Sequence, residues 1–130
     1  MKKINFWLCL LSGLMLMFIG LNFIFNPLGA EAGYGIHTNT NGDFSFQYIK
    51  GIRDFFSGLI IVVLIFTKEY KALGYVLLLG AIIPAADFCI VISHPDFTAA
   101  HLYAHTIAVM ICVVCGIYYL KNPANKKQPD

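Results

Sequence analysis

INFWLCLLSGLMLMFIGLNFIF, residues 4–25, carries no charged side chain over its whole length. As a helix it would be about 33 Å long, enough to cross a hydrocarbon layer of about 30 Å. Lys2 and Lys3 precede it, and Ala30-Glu31-Ala32 follows with the small-x-small pattern of a signal-peptide cleavage site. Its apolar run exceeds the roughly 7–15 residues of a secretory h-region, so the stretch reads as an uncleaved first span.

The remainder of the chain agrees with a membrane environment. Of 130 residues, 58% are hydrophobic and only 12% charged, and the mean hydropathy is +0.72. A soluble domain of this length needs far more polar surface. The net charge of +2, with no basic stripe, zinc finger or stacking platform, gives no footing for nucleic acid. Cys9, Cys89, Cys112 and Cys115 all fall in apolar segments, which reads as packing and implies no disulfide framework.

Three further apolar segments follow. Residues 72–92 carry only Asp87, and residues 99–120 carry His101 and His105. The second segment is mixed. Its clean part, Phe55 to Phe66, is too short to span, so it crosses only as residues 46–67, taking Lys50, Arg53 and Asp54 with it. A re-entrant or tilted segment is the alternative. The sequence thus predicts an all-α integral membrane four-helix bundle over residues 1–120, with spans at 4–25, 46–67, 72–92 and 99–120. Residues 121–130 form a polar tail.

Asn26-Pro27 ends the first helix, because proline disfavours helix in the residue before it. Asn26 to Ser45, with Gly29, Gly33, Gly35, Gly42 and Thr38-Asn39-Thr40-Asn41, reads as one long loop. The connections at Lys68-Glu69-Tyr70-Lys71 and Ser93-His94-Pro95-Asp96 are short. With four spans, Lys2, Lys3, Lys68, Lys71, Lys121, Lys126 and Lys127 share one side. That bias places both termini in the cytoplasm. The expected location is the bacterial inner membrane, as a multi-pass protein.

In this topology the ionisable groups fall in one layer. Arg53 and Asp54 lie about 10–12 Å, Asp87 about 8 Å and His105 about 9 Å below the outer ends of their helices. His101 lies one turn nearer the surface, and Asn22 and Asn26 sit at the outer end of the first helix. Gly51, Asp54 and Gly58 share a stripe, as do Gly80, Pro84 and Asp87, and as do His101, His105, Ala108, Cys112 and Cys115. Each buried charge costs roughly 2–3 kcal/mol or more unless paired or hydrated, so these groups should face one another.

Lys50-Gly51-Ile52-Arg53-Asp54, followed by Gly58-Leu59, resembles the Gly-Ile-Arg-Asp hallmark of a family of small four-helix membrane proteins known only as a domain of unknown function. Leu73-Gly74, the stretch from Gly80 to Asp87 and the histidine of the last span resemble it too, so the likeness covers residues 45–120. The layout is more loosely similar to DoxX-like membrane proteins. The resemblance implies the fold and marks Arg53, Asp54 and Asp87. It implies no activity.

Two readings of the polar layer stay open. In one, Arg53 pairs with a carboxylate and the layer is a structural latch in a non-catalytic accessory subunit. In the other it is a site for a small amphipathic or lipid-like molecule, lined by Asn22, Lys50, Arg53, Asp87, His101 and His105. Acid–base chemistry there would fall to Arg53, Asp54, Asp87 and His105. No metal is expected: His101 and His105 stand at i, i+4, but neither HExxH nor a third nearby histidine completes the set. No cofactor is expected, and haem would want histidines on different helices. Cys112-Val113-Val114-Cys115 is a CxxC among valines, without the accessible thiolate that dithiol exchange needs. The partners expected are membrane lipid and the amphipathic ligand, and homo-oligomers or a larger membrane complex suit the layout. A channel fits poorly, because the inner half offers no polar path.

Overall fold

A computed structural model describes residues 2–94 and 97–122. Its helices are α1 (Lys2–Phe25), α2 (Pro27–Tyr34), α3 (Ser45–Phe66), α4 (Tyr70–Gly80), α5 (Ile82–Ile92) and α6 (Ala99–Lys121), and the described residues contain no strand. Pro95 and Asp96 of the expected third connection, and most of the expected tail, lie outside the described residues.

Three stretches are long and apolar enough to cross a membrane: Lys3–Phe25, Tyr70–Ile92 and Ala99–Lys121. The surface has a matching character. On α1, Ile4, Trp7, Leu11, Leu14, Met15, Phe18, Leu21 and Phe25 are exposed at the three- and four-residue intervals of one helix face, as a lipid-facing helix requires. α3 is as long as these helices, at 22 residues, but carries Lys50, Arg53 and Asp54.

The expected loop from Asn26 to Ser45 contains a helix, which corrects that expectation. Asn26 ends α1 and also caps α2: its side chain accepts a hydrogen bond from the Gly29 amide at 3.3 Å. Pro27 follows at the first helical position, where its missing N–H is harmless. α2 stops after Tyr34 because Gly35 turns left-handed (φ 87°), and its amide bonds back to Ala32. Glycine adopts that conformation without strain.

The third apolar segment runs as the single crossing stretch expected, Tyr70–Ile92, with its helix interrupted only at Ala81. Pro84 has no N–H, and its ring crowds the carbonyl of Gly80, four residues earlier. The regular helix is interrupted there for one residue, between α4 and α5, while Ala81 keeps right-handed helical dihedrals. The Ala81 amide still bonds to Leu77, at 2.9 Å, and Ala85 to Ala81, at 3.2 Å.

α1 and α3 run antiparallel in close contact. A Cβ on Gly20 would lie 2.5 Å from the Gly51 carbonyl oxygen and 2.5 Å from the Phe55 nitrogen, and one on Gly58 would strike the Gly13 carbonyl. With no hydrophobic drive between helices in lipid, such backbone approach is a main source of association. α4 and α5 pack on α6, and the two halves meet through α3 with α4 and α1 with α6. At the end holding the α1 N-terminus, Cys9, Ile61, Ile65, Leu73, Leu77, Cys115 and Tyr119 form an apolar core. There the Cys115 thiol faces the Asn5 side-chain oxygen at 3.7 Å, and all four cysteines are free thiols.

Candidate functional site

The opposite end of the bundle gathers the polar side chains. The buried residues of α3 are Gln47, Gly51, Asp54, Gly58, Ile61 and Ile65, spaced alternately by four and three. This is a helix seam, and its upper half is polar while its lower half is apolar. Gln47 and Asp54 are each only 7% exposed, as is His105 of α6, and Glu31 of α2 is 6% exposed.

Lys50 sits beside this seam. Its ammonium pairs with Asp54 at 2.8 Å and lies 4.2 Å from the centre of the Tyr34 ring and 5.0 Å from that of Phe23. Such contacts contribute about 0.5–2 kcal/mol each, more when desolvated. Tyr34, the last residue of α2, also meets the His105 ring edge-on at 4.8 Å and Phe23 at 6.0 Å. One aromatic side chain therefore touches α1, α3 and α6.

The Tyr34 hydroxyl is buried and has no hydrogen-bond partner. Burial, and then the approach of the Asp87 carboxylate as a hydrogen-bond acceptor, push its pKa well above the ordinary tyrosine value, although the two groups stand outside close hydrogen-bond geometry. Asp87 is half-buried on α5, and its charge also reaches His105.

A second network ties down the segment after α2. The Glu31 carboxylate accepts the Thr38 amide, and the Gln47 side-chain amide donates to Glu31 Oε2 and to Thr38 Oγ1 at 3.1 Å each. Burial alone would raise the Glu31 pKa, but these donors outweigh it and hold the carboxyl below the usual glutamate range. His101 packs on the residue that follows Tyr34. Its Nδ1 is 3.1 Å from Thr98 Oγ1, and its ring packs so tightly on Gly35 that a Cβ there would lie 2.6 Å away.

Between these networks lies an open pocket of about 140 Å³. Phe23, Tyr34, Ile36 and Phe46 supply its apolar wall, and Glu31, Thr38, Gln47 and Lys50 its polar one. Gln47 Oε1 is a second buried oxygen without a hydrogen-bond partner. Both orphaned atoms belong to residues of this wall. The volume suits a single ring or a small head group.

Of the residues singled out in the sequence, Lys50, Asp54, Asp87, His101 and His105 come together around Tyr34. Arg53 makes no ion pair with them, although its charge reaches Tyr34 from the side. It is exposed on α3, and the pairing expected for it is made by Lys50. The reason is helical rotation: Lys50 and Asp54 stand one turn apart, whereas Arg53 is turned by about 100° from Asp54. Asn22 is half-buried at the end of α1, where its carbonyl accepts the Asn26 amide at 2.8 Å. Among the described residues no three His, Cys, Asp or Glu side chains are grouped to hold a metal ion. Tyr34, Phe23, Glu31 and Gln47 were missed. The signal for Tyr34 was present in Asn26-Pro27 and Gly35, a cap, a first-turn proline and a stop bracketing one short helix.

Residues 13–119 match the family described as a domain of unknown function, DUF4267. The chain belongs to that family. The DUF4267 match reaches from Gly13, within the α1–α3 seam, to Tyr119 of α6, and so includes every residue of the pocket. No curated protein and no solved structure matches the chain.

Proposed function

We propose that this DUF4267 member crosses the membrane four times, with both termini cytoplasmic, and holds a small amphipathic or lipid-like molecule in the pocket beneath α2. The observation that carries the reading is a pocket with an apolar and a polar wall, two of whose lining residues, Tyr34 and Gln47, each keep a buried oxygen without a hydrogen-bond partner just behind the surface. Leaving such an atom unpaired costs about 1–3 kcal/mol, and a side-chain rotation that brings either oxygen to a hydroxyl or amide of a bound molecule would remove the penalty. The apolar half of the wall suits the rest of the molecule.

Further support comes from the ion pair. Lys50 and Asp54 lie in the same helix, so their pairing does not fix one helix against another, which weakens the latch reading. The length of α3 and its seam against α1 support it as a fourth span, since its three charges divide between a largely covered ion pair and one exposed arginine. Lysine placement supplies the orientation.

The test is native mass spectrometry of the full chain released from membranes in mild detergent. A bound species of constant mass is expected, retained by the wild type and depleted in Lys50→Ala and Gln47→Leu. Wild-type protein that folds and never carries such a species, in membranes or after incubation with total lipid extract, would overturn the proposal.

A further inference from the structure

Arg53 poses a separate question. It is exposed on α3 beside Ile49 and Ile52, each 62% exposed, and Phe56, 59% exposed. The α1–α3 register sets its depth. Gly13 opposes Gly58 and Gly20 opposes Gly51, so Arg53 stands level with Phe18, about 10 Å from the Phe25 end of α1. A guanidinium at that depth on a lipid-facing surface is costly unless it snorkels to the interface and finds a counter-charge.

Among the described residues no carboxylate lies within ion-pair distance of Arg53. The ion pair seen is Lys50–Asp54. Of the exposed acids, Asp43 is bound by Ser45 before the start of α3, and Glu69 lies beyond its other end. A second copy of the chain would offer no exposed described carboxylate at the right level. Beside Arg53 the surface forms a shallow groove of about 400 Å³, lined by Tyr48, Ile49, Ile52 and Phe56 with Arg53 itself.

We infer that this groove is a binding site for one anionic phospholipid. The Arg53 guanidinium takes the phosphate through its paired N–H donors. The Tyr48 hydroxyl, one turn and a little more toward the interface, adds a donor, and Ile49, Ile52 and Phe56 support an acyl chain. Charge complementarity selects the occupant: an unpaired cation in an otherwise apolar groove favours a phosphodiester carrying net negative charge over a zwitterionic lipid. The inference rests on α3 lying in the bilayer and does not depend on what occupies the pocket beneath α2.

The test uses the full chain in non-ionic detergent, titrated with dioleoyl phosphatidylglycerol or dioleoyl phosphatidylcholine and read by native mass spectrometry. Wild-type protein should bind the first about ten-fold more tightly, the value of one charge-assisted contact. Arg53→Gln should bring the two lipids to parity while melting close to wild type, since the side chain is exposed. If Arg53→Gln does not fold, Tyr48→Phe is expected to weaken phosphatidylglycerol about three-fold, and no change would sink the idea. Equal affinity of the wild type for both lipids, or a preference that survives Arg53→Gln, would overturn it. So would a dimer that Arg53→Gln dissolves without any change in lipid preference, because a second copy would then cover the groove.

Discussion

Replacing Tyr34 by phenylalanine should separate holding a ligand from holding the fold. The ring contacts with His105, Phe23 and the Lys50 ammonium survive the change. Only the hydroxyl is lost, and that hydroxyl is buried without a partner. An unpaired buried hydroxyl costs about 1–3 kcal/mol, so the empty protein should unfold no more easily and should gain about 1 kcal/mol. The bound state should suffer instead. If the hydroxyl donates to the ligand, losing that bond costs roughly 0.5–1.5 kcal/mol, or up to about ten-fold in affinity. Equilibrium unfolding in mixed micelles measures the first effect, and occupancy by native mass spectrometry the second. A loss of about 1 kcal/mol or more in the empty protein would refute the reasoning, because the hydroxyl would then be satisfied within the protein. Asp87 is the group that would satisfy it, and a double-mutant cycle of Tyr34→Phe with Asp87→Asn would show the coupling.

Other consequences can be measured separately. A cysteine placed at Asn41 should react with impermeant maleimide from the outer face; reaction from the cytoplasmic face alone would reverse the topology. Gly20→Val should force α1 away from α3, at a cost of about 1–3 kcal/mol or more in unfolding experiments, and a neutral result would contradict the close approach at Gly51. Asp87→Asn should deplete the bound molecule more than it lowers the melting temperature, since Asp54 keeps Lys50 as its partner; a steep loss of stability with binding intact would favour the latch. The Glu31 carboxyl is held below its ordinary value near 4.5, so it adds stability above that pH, lost as the pH falls through the lowered value. Amide exchange at Thr38 should lose protection over that acid range, and Glu31→Gln should abolish the dependence.

The helical rods were legible because membrane spans are written in long apolar runs, which residues 4–25 and 99–120 show without one Asp, Glu, Lys or Arg. Two local features were harder to see. Pro84 announces a bend, but an apolar run through residues 72–92 does not show where the helix is interrupted. The stretch from Asn26 to Ser45 is rich in glycine and small polar residues, and that composition concealed a helix of only 8 residues. Tyr34 was lost with it. The depth of the polar groups followed from counting residues along each helix, and it brought Asp54, Asp87 and His105 to one level. Depth is silent on direction, so it could not separate Arg53 from the rest. The buried seam of α3 carries that information, because Gln47, Gly51, Asp54 and Gly58 fix which way the helix faces.

The same rotation changes how the Gly-Ile-Arg-Asp run should be understood. Four successive residues make slightly more than one turn of helix, so they point in every direction around it. Gly51 faces α1, where its missing Cβ admits the Gly20 carbonyl. Asp54 faces inward and pairs with Lys50. Ile52 and Arg53 face outward, into the groove with Phe56. A short contiguous motif on a helix therefore cannot line a single site unless its helix is surrounded. Here it divides into one residue for helix contact, one for the inner cluster and two for the outer surface. Arg53→Gln and Asp54→Asn should accordingly fail in different assays, the first in lipid preference and the second in retention of the inner ligand. If both variants lost the same activity and no other, the division of the motif between two faces would be wrong.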